Sequence, residues 1–337
     1  MSEKTVEKGD WGIAAETGNA SIPELEMRSP WRRFRRNRIA MASAWLLVVL
    51  VVLVLAWPIA LKLAAVLGPT GQAFAEAHQP ERLSDAQFQR PNLQHWFGTD
   101  VHGRDLLSRV LFGAQVSLLV GVVGAVVSLI IGVIWGAVAG YAGGRVDAAM
   151  MRFVDILYSL PSIIFVIVLI TTLEGVFKNW LASAGSPVLA KLARLLFLFI
   201  GLGSVSWLTM ARIVRGQVLS LRQRPFVEAS RALGAGPLHI LARHIIPNTL
   251  GVVIVYLTLT VPAIILYESF LSYLGLGIQP PMASWGSLIA EGAEQINPIR
   301  IYWWLIIFPG GLLVLTLLAL NFVGDGLRDA WDVRGTP

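Results

Sequence analysis

Apolar residues gather along the chain in six long runs, at 39–61, 115–139, 153–173, 192–210, 249–273 and 302–322, separated by polar stretches of unequal length. A helix crossing a hydrocarbon layer ~30 Å thick needs about 20 such residues. The pattern predicts an all-α polytopic membrane protein with six transmembrane helices and both termini on one side. The second run carries Gly124, Ser128, Gly132, Gly136 and Gly140 at every fourth position, which places them on one stripe of a helix. Small residues in such a stripe let a second helix approach closely, where van der Waals contact replaces the missing hydrophobic drive. The first run has only Ala40, Ala42, Ser43 and Ala44, all near its start, as small residues of that kind. The second helix is therefore expected inside a bundle and the first at its lipid-facing edge.

Composition agrees: 55% of residues are hydrophobic and 14% charged, against about 25% charged in soluble domains. The net charge of +6 comes largely from arginines beside apolar runs. That is the mark of cytoplasmic flanks rather than of nucleic-acid binding, and no nucleic-acid partner is expected. Arg32, Arg33, Arg35, Arg36 and Arg38 precede the first run. That run is longer than the core of a cleaved signal peptide, and its basic cluster begins too far from Met1. An uncleaved first span at 39–61 follows, behind a cytoplasmic tail at 1–38. Arg145, Arg152, Arg212, Arg215, Arg222, Arg224, Arg231 and Arg243 fall on the same side, whereas the 62–114 outer loop offsets its basic residues with Glu76, Glu81, Asp85, Asp100 and Asp105. The rest divides into a five-helix core at 115–323 and a cytoplasmic tail at 324–337. The chain has no cysteine, which removes disulfides, thiolate metal sites and a thiol nucleophile.

The segment 226–248, FVEASRALGAGPLHILARHIIPN, is a polar island between the fourth and fifth runs. Phe226, Ala229 and Leu233 share one face of a short helix by their spacing, with Glu228 and Arg231 elsewhere. Gly234 and Gly236 permit a tight reversal, and Pro237 suits the first turn of a second helix. Leu238, Leu241 and Ile245 line that helix, and Pro247 is expected to close it. The plain alternative is an interfacial amphipathic loop, basic because cytoplasmic loops are basic.

Glu228, Ala229 and Ser230, then Gly234, His244, Pro247 and Asn248, resemble the coupling motif of ABC importer permeases, whose common form has alanine where Ser230 stands. Other segments narrow the likeness to the C-type permease subunits of oligopeptide and dipeptide importers. They are Phe97-Gly98-Thr99-Asp100 with 103–109, Gly140-Tyr141-Ala142-Gly143-Gly144-Arg145-Val146-Asp147, 210–216, 271–277 with Gln279-Pro280-Pro281 and Ser284-Trp285-Gly286, and 324–329. Val333 departs from the proline of many relatives, and 62–94 matches no motif. The resemblance implies a type I ABC importer transmembrane fold in the bacterial inner membrane. It further implies a second, B-type permease subunit, two ABC ATPase subunits docked through helices at 226–247, and an extracytoplasmic peptide-binding protein. The chain itself is then no enzyme and binds no cofactor, with ATP and Mg²⁺ used by the partner ATPases. In agreement, none of Lys4, Lys8, Lys62, Lys178 and Lys191 follows a glycine, so no Walker A loop is present.

Among polar residues within or beside the runs, Glu268 and Ser269 are candidates for a pathway or gate, the alternative being a structural hydrogen bond to a neighbouring subunit. Asp155 is expected to pair with Arg152, three residues earlier. His244 is expected to buttress the second helix of the island rather than bind metal, since His-Glu-x-x-His is absent. Pro161, Pro262 and Pro309 interrupt spans and mark hinges or static kinks. Trp180, Trp285, Trp303 and Trp304 fall at outer boundaries, where aromatic belts form. Similar permeases carry nickel chelates, glutathione or peptide antibiotics, so cargo stays open. A secondary transporter would show repeated halves and broken helices with intramembrane charges, and neither that signature nor an enzyme's nucleophile–base pair is evident.

Overall fold

The computed structural model describes residues 30–183, 187–278, 280, 282–297 and 299–331, without the side chains of 174 and 177–198. The 1–29 tail, Gln279, Pro281, Val333 and the Trp180 side chain lie outside the described residues. Among those described, the chain is helical, without strands beyond one Thr99–Asp105 bridge. The helices are α1 (Pro30–Arg36), α2 (Arg38–Val66), α3 (Pro69–Ala77), α4 (Leu106–Ala142), α5 (Gly144–Ser159), α6 (Ser162–Ser183), α7 (Pro187–Leu221), α8 (Pro225–Ala232), α9 (Pro237–Ile240), α10 (Ile246–Tyr273), α11 (Trp285–Glu294) and α12 (Trp304–Trp331).

All six apolar runs are helical, but one is not a straight span. α2, α4, α12 and the continuous Pro237–Tyr273 helix are each long and apolar enough to cross a membrane, and the fourth run lies in α7. The third run, expected at 153–173, is instead split between α5 and α6, which meet at 94°. The cause is local: Leu160, the residue before Pro161, sits at ψ 139°, because the proline ring disfavours a helical backbone in the residue it follows. Beyond the last run, residues 324–331 continue α12. A Cβ on Gly326 would lie 2.4 Å from the Ala40 Cβ, so the glycine lets α12 close against α2.

The small-residue stripe of α4 does what its spacing predicts. A Cβ on Gly132 would stand 2.6 Å from the Met210 Cβ, and one on Gly136 would stand 2.4 Å from the Ala211 carbonyl oxygen. Gly140 faces Val218, while Gly121 and Gly124 face Ile265 and Ile264 of α10. α4 thus lies flush against α7 along one half and α10 along the other. α2 packs mainly on α12 and α3 and buries only Ala40, Leu50, Val54 and Leu61, which leaves most of it facing outward.

Two core clusters define the ends of the bundle. Leu106, Val110, Ile265, Trp285, Leu288, Trp304 and Leu305 gather at the end bearing α3 and α11. Met210, Val214, Val218, Val227, Ile240, Ile245 and Val253 gather at the end bearing α8 and α9. Trp285 and Trp304 are fully buried in the first cluster rather than part of a lipid-facing belt. Each indole N–H has found a backbone acceptor, Val110 O and Thr99 O respectively, both at 3.2 Å, as buried indoles require.

Candidate functional site

The island folds into α8, a reversal, and α9, which runs on through a π-helical turn at Leu241–Ile245 into α10. α8 ends in a Schellman arrangement: Ala235 N–H donates to Ser230 O at 3.1 Å and Gly234 N–H to Arg231 O at 3.0 Å. That closure needs a left-handed residue, and Gly234 supplies it at φ 83°. Ser230 therefore serves through its carbonyl, which any small residue could present.

Pro247 does not close the second helix. It occupies the first turn of α10, and the helix runs unbroken from Pro237 to Tyr273. A proline within an α-helix would lose one ladder bond and crowd the carbonyl four residues back. The π turn just before it widens the ladder there and removes the conflict. Asn248 Nδ2 donates to the His244 carbonyl at 2.6 Å.

Three side chains anchor this hairpin. Val227, Ile240 and Ile245 are 0%, 1% and 0% exposed, packed among Val214, Val218 and Val253. The opposite face is open: Leu233 is 89% exposed, Leu238 80% and Phe226 43%. Glu228, Ala229, Arg231 and Ala232 share that exposure. Glu228 makes no ion pair among the described residues. His244 sits half-buried between the rings of Phe226 and His239, at 6.5 and 5.9 Å.

Behind the hairpin, charges tie α4, α5 and α7 together. Arg215 makes two hydrogen bonds of 2.6 Å to the Asp147 carboxylate. Arg222 caps the end of α4 by donating to the carbonyls of Gly140 and Tyr141 at 3.1 and 3.3 Å. Its guanidinium occupies the space a Cβ on Gly143 would need, so Gly143 is doubly required, by its φ of 66° and by Arg222. Arg231 reaches back over the Tyr141 ring at 6.0 Å. Asp155 does not pair with Arg152. It accepts from Arg212 at 2.7 Å, and Arg212 also lies over the Tyr158 ring at 4.2 Å. The bend at Pro161 and the contact of α5 with α7 bring these distant residues together.

Glu268 is 0% exposed. Its carboxylate accepts from Ser272 Oγ at 2.6 Å and Ser117 Oγ at 3.2 Å, and Trp285 N–H donates to the same Ser117 hydroxyl at 3.2 Å. These partners belong to its own chain. Ser269 is buried beside it, where its backbone meets Gly286. An open crevice of about 240 Å³ lies elsewhere, between α5, α6, α7 and α10, lined in part by Tyr158, Ser206, Thr209, Tyr256, Thr260 and Tyr267. Sequence reasoning missed this wall, whose only signal is hydroxyl groups spaced through otherwise apolar helices.

Residues 132–334 match the family model described as binding-protein-dependent transport system inner membrane component, and residues 27–79 match the N-terminal transmembrane domain of oligopeptide transport permease C. The oligopeptide transport system permease protein OppC of Escherichia coli is 44% identical over 317 residues, covering 92% of this chain and 93% of that protein. OppC of Haemophilus influenzae is 43% identical, with 92% and 91% covered. The dipeptide transport system permease protein DppC of Bacillus subtilis is 42% identical, with 95% and 89% covered. The methionine ABC transporter MetNI in an inward-facing conformation aligns over 65% of this chain and 94% of its own, with TM-score 0.48 and 19% identity.

Proposed function

The chain belongs to the family of binding-protein-dependent transport system inner membrane components, and on that premise we propose that it is a permease subunit of an ABC importer for oligopeptides or dipeptides. Relatives named for peptide transport, more than 40% identical over nine-tenths of the chain, support that cargo. ATP is hydrolysed by two partner subunits, a B-type permease completes the membrane pair, and an extracytoplasmic binding protein delivers peptide. Both termini and the α8–α9 hairpin face the cytoplasm, the side on which most of the arginines outside the 62–114 loop fall.

One observation carries the coupling role. The hairpin is anchored by Val227, Ile240 and Ile245 yet turns Phe226, Leu233 and Leu238 outward. Exposed leucines beside Glu228, which has no ion-pair partner among the described residues, form a surface made to be covered. The ATPase docks there. Closure of the ATPase pair pushes the hairpin, and the Pro237–Tyr273 helix, 37 residues and so ~55 Å long, carries the push across the bilayer. Its far end holds Glu268, which in this reading ties α10 to α4 rather than lining the route. The crevice beside Tyr256 and Thr260, on the same helix, is the face that changes access.

The test is purification of the complex together with its genomic neighbours, with peptide uptake measured in parallel. Gly234→Pro removes both the left-handed residue and the N–H that closes α8. Uptake is expected to fall at least tenfold, with the chain still inserted. Absence of a copurifying ATPase, together with unchanged uptake in the variant, overturns the proposal.

A further inference from the structure

The stretch between α3 and α4, which matches no motif up to residue 94, gathers three metal-ligating side chains from three separate segments. His78 ends α3, His95 lies in the loop, and Asp105 caps α4. A ligand atom from each lies within 4.8 Å of the others. His78 and Asp105 are 4% and 1% exposed, and His95 is half-buried, which separates the group from the loosely scattered acids of an ordinary surface.

The hydrogen bonds set the chemistry. His78 Nδ1 lies 2.9 Å from the Phe74 carbonyl, which can only accept, so Nδ1 carries the proton. That leaves the His78 Nε2 lone pair free for a metal, because the outer bond sets tautomer and ring orientation. His95 Nδ1 lies 2.9 Å from Asp105 Oδ1. An ion entering there would replace the proton between these two atoms, so that both become ligands. Asp105 Oδ2 accepts from Ser108 N–H at 2.9 Å, which locks the carboxylate. Trp57 closes one side, edge-on to His78 at 6.0 Å, with its own N–H on Ser108 Oγ at 3.0 Å. The His78 and His95 rings stand 5.9 Å apart.

The geometry points to a binding site for a divalent transition-metal ion of the Zn²⁺ class, built from His78, His95 and Asp105. Imidazole and carboxylate suit such an ion and, with only one carboxylate, do not make an oxygen cage for calcium or magnesium. Ligands bonded at about 2.1 Å lie within about 4 Å of one another, so loading requires only a small adjustment of the cluster. The ion would staple the end of α3 and the loop to the start of α4, and so hold the outer loop as one piece against the bundle. This inference stands apart from the transport role and does not depend on cargo.

The experiment is titration of CoCl₂ into the complete complex, purified on a histidine-free tag and stripped with EDTA, followed by competition with ZnCl₂. One equivalent per chain is expected, with visible d–d bands of a nitrogen- and oxygen-ligated Co²⁺ that Zn²⁺ abolishes. Binding should weaken at least tenfold in His95→Asn and in Asp105→Asn, the latter keeping an acceptor for the α4 cap. It should be unchanged in the double variant His239→Asn/His244→Asn, which removes the other histidine pair, and in His102→Asn at an exposed position. Failure of the wild-type complex to take up a stoichiometric ion overturns the site, as does uptake that survives in His95→Asn and Asp105→Asn but is lost in His239→Asn/His244→Asn.

Discussion

Replacing Leu233 and Leu238 with serine should separate docking from folding. Both side chains are already open to water, at 89% and 80% exposure, so the isolated chain gains almost nothing from them. Surface changes of this kind shift stability by no more than about 0.5 kcal/mol. A docked partner that covers them recovers their hydrophobic free energy, about 1.5–3 kcal/mol for a leucine buried completely. Rim positions are covered only in part, so each should contribute about 1–2 kcal/mol, equivalent to roughly 5- to 30-fold in affinity. The assay strips the ATPase subunits from the complex in nanodiscs, titrates them back, and records affinity with peptide-stimulated ATP hydrolysis. Leu233→Ser and Leu238→Ser should each weaken rebinding several-fold, and the pair at least 25-fold, with thermal unfolding of the permease unchanged. Rebinding within threefold of wild type in the double variant would refute the reasoning, because no other exposed apolar side chains of the hairpin are as prominent.

Three further outcomes test the frame behind the hairpin. Gly136→Val drives a side chain into the Ala211 carbonyl 2.4 Å away and should cost about 1–3 kcal/mol by overpacking; Gly216→Ala, with open space at its Cβ position, should leave the detergent melting temperature unchanged. Arg215→Ala should destabilise by about 2 kcal/mol through loss of two charge-assisted bonds to Asp147, and a double-mutant cycle with Asp147→Asn should give coupling rather than additivity. Glu268→Gln keeps an acceptor for one of Ser117 and Ser272 and offers the other hydroxyl an N–H donor, so it should retain uptake, whereas Glu268→Ala should lose about 1–3 kcal/mol of stability, read as a lower unfolding midpoint.

Much of the architecture was legible because lipid imposes simple rules. Runs of about 20 apolar residues mark spans, and the stripe from Gly124 to Gly140 marked α4 as the helix that others approach. Gly234 was legible as a reversal, since a Schellman closure needs φ above zero. Errors arose where a local rule met a tertiary one. Pro247 reads as a stop because proline breaks an α ladder, and the π turn before it relieves that clash. Asp155 was assigned to Arg152 by helical spacing, whereas the 94° bend carried it to Arg212. Trp285 and Trp304 follow boundary statistics in sequence but fill the core in space. Pairs such as Asp147 with Arg215, 68 residues apart, or Arg109 with Glu291, 182 apart, leave no local trace. Spacing also grouped Phe226, Ala229 and Leu233 on one face without revealing that it points outward. That outward direction is what makes the hairpin a surface for a partner.

The most direct measurement uses the absence of cysteine from this chain. A single cysteine introduced at Ala229 or Leu233 carries a short photoactivatable crosslinker in the assembled complex, and the products are identified by mass. The account predicts a crosslink to the ATPase subunit from both positions, and none from a control cysteine at Leu93 in the outer loop. Crosslinks from Ala229 and Leu233 that reach only lipid or the second permease would contradict it.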